Sequence, residues 1–201
     1  MVLERIFLAS ASPRRLELLR SLGLTVRVEP SGYDEPDDPA ATPRELAIRH
    51  AAAKARDVRA RFPDAVIVAA DTVVDVDGQA LGKPRDAAHA HQMLRTLSGR
   101  EHEVHTAYAI ALPGREALVE DAATTRVRFY PLDDDEIAAY VASGEPMDKA
   151  GAYGIQGRAA ALVDAIDGDF YTVMGFPLAR FVRTLRRLGF ALPAAKETPN
   201  E

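Results

Sequence analysis

The unbroken apolar run from Val66 to Ala70, leading straight into Asp71-Thr72, constrains this chain more than any other stretch. A run with no polar alternation suits a central strand covered on both faces, the setting of strands inside layered α/β proteins. The flanking pattern agrees. Ile6 to Ala9 reads as a short buried strand, and Ser12-Pro13 as the cap and first turn of a helix whose buried side carries Leu16, Leu18, Leu19 and Leu22. That helix stops at Gly23 and leads to a strand over Thr25 to Val28, parallel to the first if the crossover is right-handed.

Further along, the acidic, proline-rich Gly32 to Pro39 is a loop, and Thr42-Pro43-Arg44-Glu45 has capping-box spacing for a helix reaching about Arg61. Past Asp71-Thr72, the segment Val73 to Val76 runs into Asp77-Gly78, a hairpin turn. Asp86 caps a helix to Leu97, and strands over His102 to Leu112 and Ala117 to Phe129 pair antiparallel across Pro113-Gly114. Asp133 with Glu136 opens a helix to Ala142, 144–157 is a glycine-rich segment, Ala161 to Ile166 is a strand and Leu178 to Leu188 a last helix. Helices alternate with strands, yet the late pair is antiparallel. The expected architecture is therefore α/β with a mixed, twisted sheet flanked by helices and two lobes around a central cleft. One domain over 1–190 and a polar tail over 191–201 complete the reading.

Composition removes several function classes. Lysine plus arginine number 25 against 30 acidic residues, for a net charge of -5, which argues against sequence-independent nucleic-acid binding. No apolar run approaches the ~18 residues that span a bilayer. With no cysteine there is no disulfide, thiolate zinc site or cysteine nucleophile, and the histidines lack convincing zinc spacing. Any metal should then be a hard cation held by carboxylates, Mg²⁺ or Mn²⁺. The first residues read as neither a signal peptide nor, despite Arg14-Arg15, a twin-arginine export signal, and a cytoplasmic protein is expected.

Four places hold polar residues that packing does not demand. Ser10-Ala11-Ser12-Pro13-Arg14-Arg15 lies where a strand ends and a helix begins, so it is either an anion site with two guanidinium groups or a capped helix with solvated arginines. Asp71 closes the apolar run at the carboxyl edge of the sheet, where a carboxylate can act as base or hold a metal, or simply turn the chain into its hairpin. Lys83, between Gly82 and Pro84, can reach a phosphate or stand in solvent. The four glycines of 144–157 can bring backbone close to a ligand around Tyr153 and Gln156, or form a mobile loop.

Six stretches in order, LASASPRR, VAADTVV, LGKPRD, LSGREHEVHTA, GEPMDKAGAYGIQG and IDGDFYTVMGFP, closely resemble the Maf family of nucleoside triphosphate pyrophosphatases, and the resemblance runs from Leu8 to about Leu188. The resemblance implies the fold shared with inosine triphosphate pyrophosphatases, a cytoplasmic homodimer, and cleavage of a nucleoside triphosphate to a monophosphate and pyrophosphate with a divalent cation. It implies Asp71 as general base and metal ligand and Glu35 as the second acidic ligand, preferred over Asp34. Arg14, Arg15, Lys54 and Lys83 become phosphate ligands, and Ser10, Thr72 and Gln156 further substrate contacts. Arg14, Thr72 and Gln156 look like the dTTP/UTP branch; the 7-methyl-GTP branch typically has a tryptophan at the position of Arg14, and this chain has no tryptophan. His50 departs from the pattern, since relatives often carry lysine there. The competing readings are a nucleotide-binding regulator of cell division, and the same chemistry on a modified purine.

Overall fold

A computed structural model describes residues 1–194; of the tail expected at 191–201, the part from 195 onward lies outside the described residues. β1 (Arg5–Leu8) leads into α1 (Pro13–Ser21), whose cap Ser12 accepts from the Arg15 N–H with Pro13 in the first turn. β2 (Thr25–Val28) lies parallel to β1, as the right-handed crossover requires. α2 (Pro43–Arg61) starts with the reciprocal Thr42–Glu45 capping box. Next come β3 (Ile67–Val76), β4 (Gln79–Leu81) and α3 (Ala87–Leu97), then the long antiparallel pair β5 (Glu101–Ala111) and β6 (Val119–Phe129). α4 (Asp134–Ala142), β7 (Val163–Asp167), α5 (Phe170–Met174) and α6 (Leu178–Arg187) complete the chain.

The strands form one mixed sheet in the order β2-β1-β3-β5-β6-β7, with β4 pairing back onto β3. Two expectations need correction. β3 is a single ten-residue strand that runs through Asp71 rather than closing at it, because β5 pairs with it continuously from Ile67 to Asp75. The strand expected from Ala161 begins at Val163, because Gly157–Ala161 forms a 3₁₀ turn. The glycine-rich segment also contains 3₁₀ turns at Glu145–Asp148 and Ala150–Ala152, and the five-residue α5 was not expected.

The two faces of the sheet are filled differently. On one, α2 lays Ala47, Ala51 and Ala55 against Ala69, Ala107 and Ala109, small side chains that let helix and sheet approach closely. The other face carries two separate apolar clusters, the first around Val68, Ala70, Tyr108, Ile110, Phe176 and Phe181. The second surrounds Val74, Val76, Val104, Leu94 and Phe129. Between them, directly paired across β3 and β5, stand Thr72 and Thr106 with hydroxyls 2.9 Å apart. The two lobes are these two cores, and a polar seam separates them. No described helix is long and apolar enough to cross a membrane.

His102, on β5, belongs to the second core. It stacks edge-on against Phe129 and Tyr153, and its Nε2 lies 2.7 Å from the Tyr153 hydroxyl. Nδ1 is buried without a partner, and burial pushes the imidazole pKa down to about 4. Below the ordinary histidine pKa of about 6.5 the unfolded chain takes up a proton that the folded chain refuses. Stability is therefore expected to fall as the pH drops from about 6.5 to about 4, by about 3 kcal/mol for this group. Urea unfolding of the parent and of His102→Phe at pH 7 and pH 4.5 checks this, since only the parent should show the extra acid loss. Equal losses would mean that His102 protonates in the folded state.

Candidate active site

The cleft opens where β3 loses its neighbours on one side. β1 pairs with β3 only through Phe7↔Ile67 and Leu8↔Val68, then leaves for the Ser10 turn. β4 joins the same edge only from Val74 onward. Between them the edge from Ala69 to Val73 has no ladder partner, and around it lies a cavity of about 1100 Å³. Because alternate strand residues face opposite ways, this window presents Asp71 toward α2 and Thr72 toward the seam between the two cores.

Ser10, Arg14, Arg15, Glu35, Lys54, Asp71, Thr72, Lys83 and Gln156 all line this cavity, although they come from six separate segments of sequence. Lys54, buried on α2, donates from one ammonium to Asp71 Oδ1 and to Glu35 Oε1, each at 2.6 Å. Asp71 is 5% exposed. Glu35 hangs in from the acidic loop, whereas its neighbour Asp34 does not line the cavity. Burial alone would raise the Glu35 pKa; the hydrogen bond and charge of Lys54, backed by Lys83 and His50, outweigh it and hold the carboxyl below its usual range.

Arg15 is half-buried and commits three of its five N–H groups to the protein. Nη1 donates to Ser10 Oγ at 3.1 Å, Nη2 to Thr72 Oγ1 at 3.0 Å, and Nε to the Gly175 carbonyl at 2.9 Å. Burial lowers its pKa, against the opposing pull of Asp71 and Glu35. The guanidinium thus ties the α1 turn, β3 and the end of α5 together, and Thr106 extends the chain by donating to the Thr172 carbonyl. Gly175, at φ 109°, holds a backbone conformation that side chains resist. Arg14 lines the cavity beside it, with Nη1 3.6 Å from Asp148.

The glycine-rich segment closes the far wall. A side chain at Gly151 (φ 67°) would meet Val74 Cγ2 at 2.8 Å, so only glycine lets the turn lie against β3. Its N–H donates to the Gly82 carbonyl, which joins this wall to the Lys83 loop. Lys83 and Gln156 stand exposed in the cavity. Sequence reasoning missed Lys149, which lines the same wall and donates to the Glu145 carbonyl at 2.5 Å and to Asp148 at 2.6 Å. It also missed the Tyr33–His50 pair, with the hydroxyl 3.3 Å from Nδ1. The signal for Lys149 was its place in the DKAGAYGIQG stretch.

A family model described as Maf-like protein matches residues 5–188. The chain belongs to the Maf family. The dTTP/UTP pyrophosphatase of Symbiobacterium thermophilum is 50% identical over 190 residues, covering 94% of this chain and 97% of that protein. That of Geobacter metallireducens is 49% identical over 186 residues, covering 92% and 97%. A HAM1 protein structure from Coxiella burnetii has a TM-score of 0.50 at 16% identity and covers 92% of this chain and 99% of that one, a likeness of fold. His50, 5% exposed, lines the same cavity.

Proposed function

We propose that the chain is a nucleoside triphosphate pyrophosphatase that hydrolyses dTTP and UTP to the monophosphate and pyrophosphate. The observation that carries the reading is the single buried ammonium of Lys54 held between Asp71 and Glu35 in a cleft otherwise rich in cations. The names of the relatives at about half identity support the same reaction and the same pair of substrates.

Asp71 takes a proton from water as its oxygen attacks the α-phosphorus. The new P–O bond replaces the bond to the bridging oxygen, and pyrophosphate leaves with that bond's electrons. Arg14, Lys54 and Lys83 offset the negative charge that would repel the nucleophile and that grows on the leaving group. Arg15 adds its field while holding Ser10 and Thr72 in place. Gln156 offers a base edge both a donor and an acceptor. Thymine and uracil present the same polar edge, so dTTP and UTP go together.

Glu35 and Asp71 each turn one oxygen to Lys54, and their other oxygens are hard donors that would suit Mg²⁺ or Mn²⁺. When bound, the cation supplies Lewis acidity and charge neutralisation at the phosphates. The reading includes one domain over 1–190 and a cytoplasmic homodimer with neither nucleic acid nor membrane as partner.

Pyrophosphate release from dTTP, UTP, CTP, dATP, GTP and 7-methyl-GTP, with Mg²⁺ or Mn²⁺, tests the proposal. Fast turnover of dTTP and UTP is expected. Turnover confined to a purine would discard the assignment of Arg14, Thr72 and Gln156 to a pyrimidine pocket. Saturable binding without release of pyrophosphate from any nucleotide would make the protein a nucleotide-binding regulator instead.

A further inference from the structure

Four residues along β3 from Asp71, on the same face but outside the cleft, two carboxylates and an imidazole converge. Asp75, Glu103 and His105 each offer a ligand atom, all within 4.8 Å of one another. Asp75 and Glu103 are direct cross-strand partners, an arrangement in which like charges destabilise a sheet. Among the described residues each makes its ion pair with His105, while Arg126, which stands opposite Glu103 on β6, is paired with Asp167.

The surroundings aim the three donors. Thr124 Oγ1 lies 2.8 Å from His105 Nδ1, which leaves Nε2 to the carboxylates. The Gly78 N–H donates to Asp75 Oδ1 at 2.8 Å, which leaves Oδ2 toward the imidazole. His105 Nε2 is 3.2 Å from Asp75 Oδ2 and 3.6 Å from Glu103 Oε2. The first is a long hydrogen bond and the second is none. A tetrahedral ion with bonds of about 2.1 Å sets its ligands about 3.4 Å apart, between the two separations observed. The imidazole is 4% exposed and the Glu103 side chain 45%, so the base of the site is dry and its mouth reaches water.

We propose that Asp75, Glu103 and His105 form a second divalent-cation site, separate from the catalytic cleft, that takes a borderline transition ion of the Zn²⁺ class with water in the open position. One nitrogen and two carboxylate oxygens suit that class better than Mg²⁺. The site clamps β3 to β5 just beyond the strand window that carries Asp71. It rests on none of the residues assigned to catalysis.

Equilibrium dialysis of the full chain against Zn²⁺, with metal analysis, tests it. Glu35→Gln/Asp71→Asn, which disables the cleft carboxylates, is expected to retain about one equivalent of Zn²⁺. Adding Glu103→Gln, a half-exposed change that spares the fold, or His105→Gln should abolish that equivalent. Thr124→Val should weaken it by on the order of tenfold. Co²⁺ in place of Zn²⁺ should give the intense visible bands of a tetrahedral site, lost with Glu103→Gln. No Zn²⁺ retained by the cleft variant, or Zn²⁺ retained undiminished after Glu103→Gln, would overturn the proposal and leave the three side chains a cross-strand polar cluster without a metal.

Discussion

Asp71→Asn is expected to bind dTTP within a few-fold of the parent affinity and to release pyrophosphate about 10²–10⁴ times more slowly, the usual contribution of a positioned general base. The substitution keeps the shape of the side chain, and an amide oxygen can still accept from Lys54, so the cleft should keep its form. What is lost is the capacity to take a proton. Nucleotide binding measured by calorimetry, beside steady-state pyrophosphate release, separates the two effects. Turnover close to the parent would move the base elsewhere, and Glu35, the other carboxylate on Lys54, would be the first alternative.

Most of the secondary structure was legible because its signals are local. Ser12-Pro13, Thr42 with Glu45 and Asp133 with Glu136 satisfy helix N–H groups within one turn, and each helix starts where those residues stand. β3 shows the limit of such reading. Asp71-Thr72 breaks the apolar run and looked like the end of a strand, yet the chain stays extended because β5 supplies a partner from 30 or more residues away. What does end at that level is the pairing with β1, and it is this loss of a neighbour that makes the cleft. Asp71 thus lies where the parallel pairing stops, inside the strand rather than at its end.

The residues of the site were legible as types in characteristic stretches, and their roles were less so. Arg14 and Arg15 are adjacent in sequence and both line the cleft, but only Arg15 is tied to Ser10, Thr72 and Gly175, because successive positions on a helix point about 100° apart. A loop with no periodicity gave no geometric reason to prefer Glu35 over Asp34; in the structure Glu35 is the one that reaches Lys54 and lines the cavity. The Asp75–Glu103–His105 group has no sequence signature at all, since cross-strand register alone brings 75 beside 103 and 105.

Lys54→Met is expected to abolish measurable turnover and to cost about 3 kcal/mol of folding stability, the low end for breaking a buried ion pair. The methionine fills nearly the same volume, so the loss reports charge rather than packing. Asp71, 5% exposed, would be left with no cation in contact, whereas Glu35 is 43% exposed and can turn to water. The burden therefore falls on Asp71. Removing that charge as well should relieve it: Lys54→Met/Asp71→Asn is expected to be more stable than Lys54→Met alone, although just as inactive. Urea unfolding of the parent, the two single variants and the double variant gives the coupling energy directly. Additive losses would mean that the 2.6 Å contact contributes little to the fold and that the cleft tolerates an unpaired carboxylate on β3. A non-additive result would show that the Lys54 ammonium makes a buried Asp71 tolerable, the same ammonium that the proposed reaction turns to the phosphates.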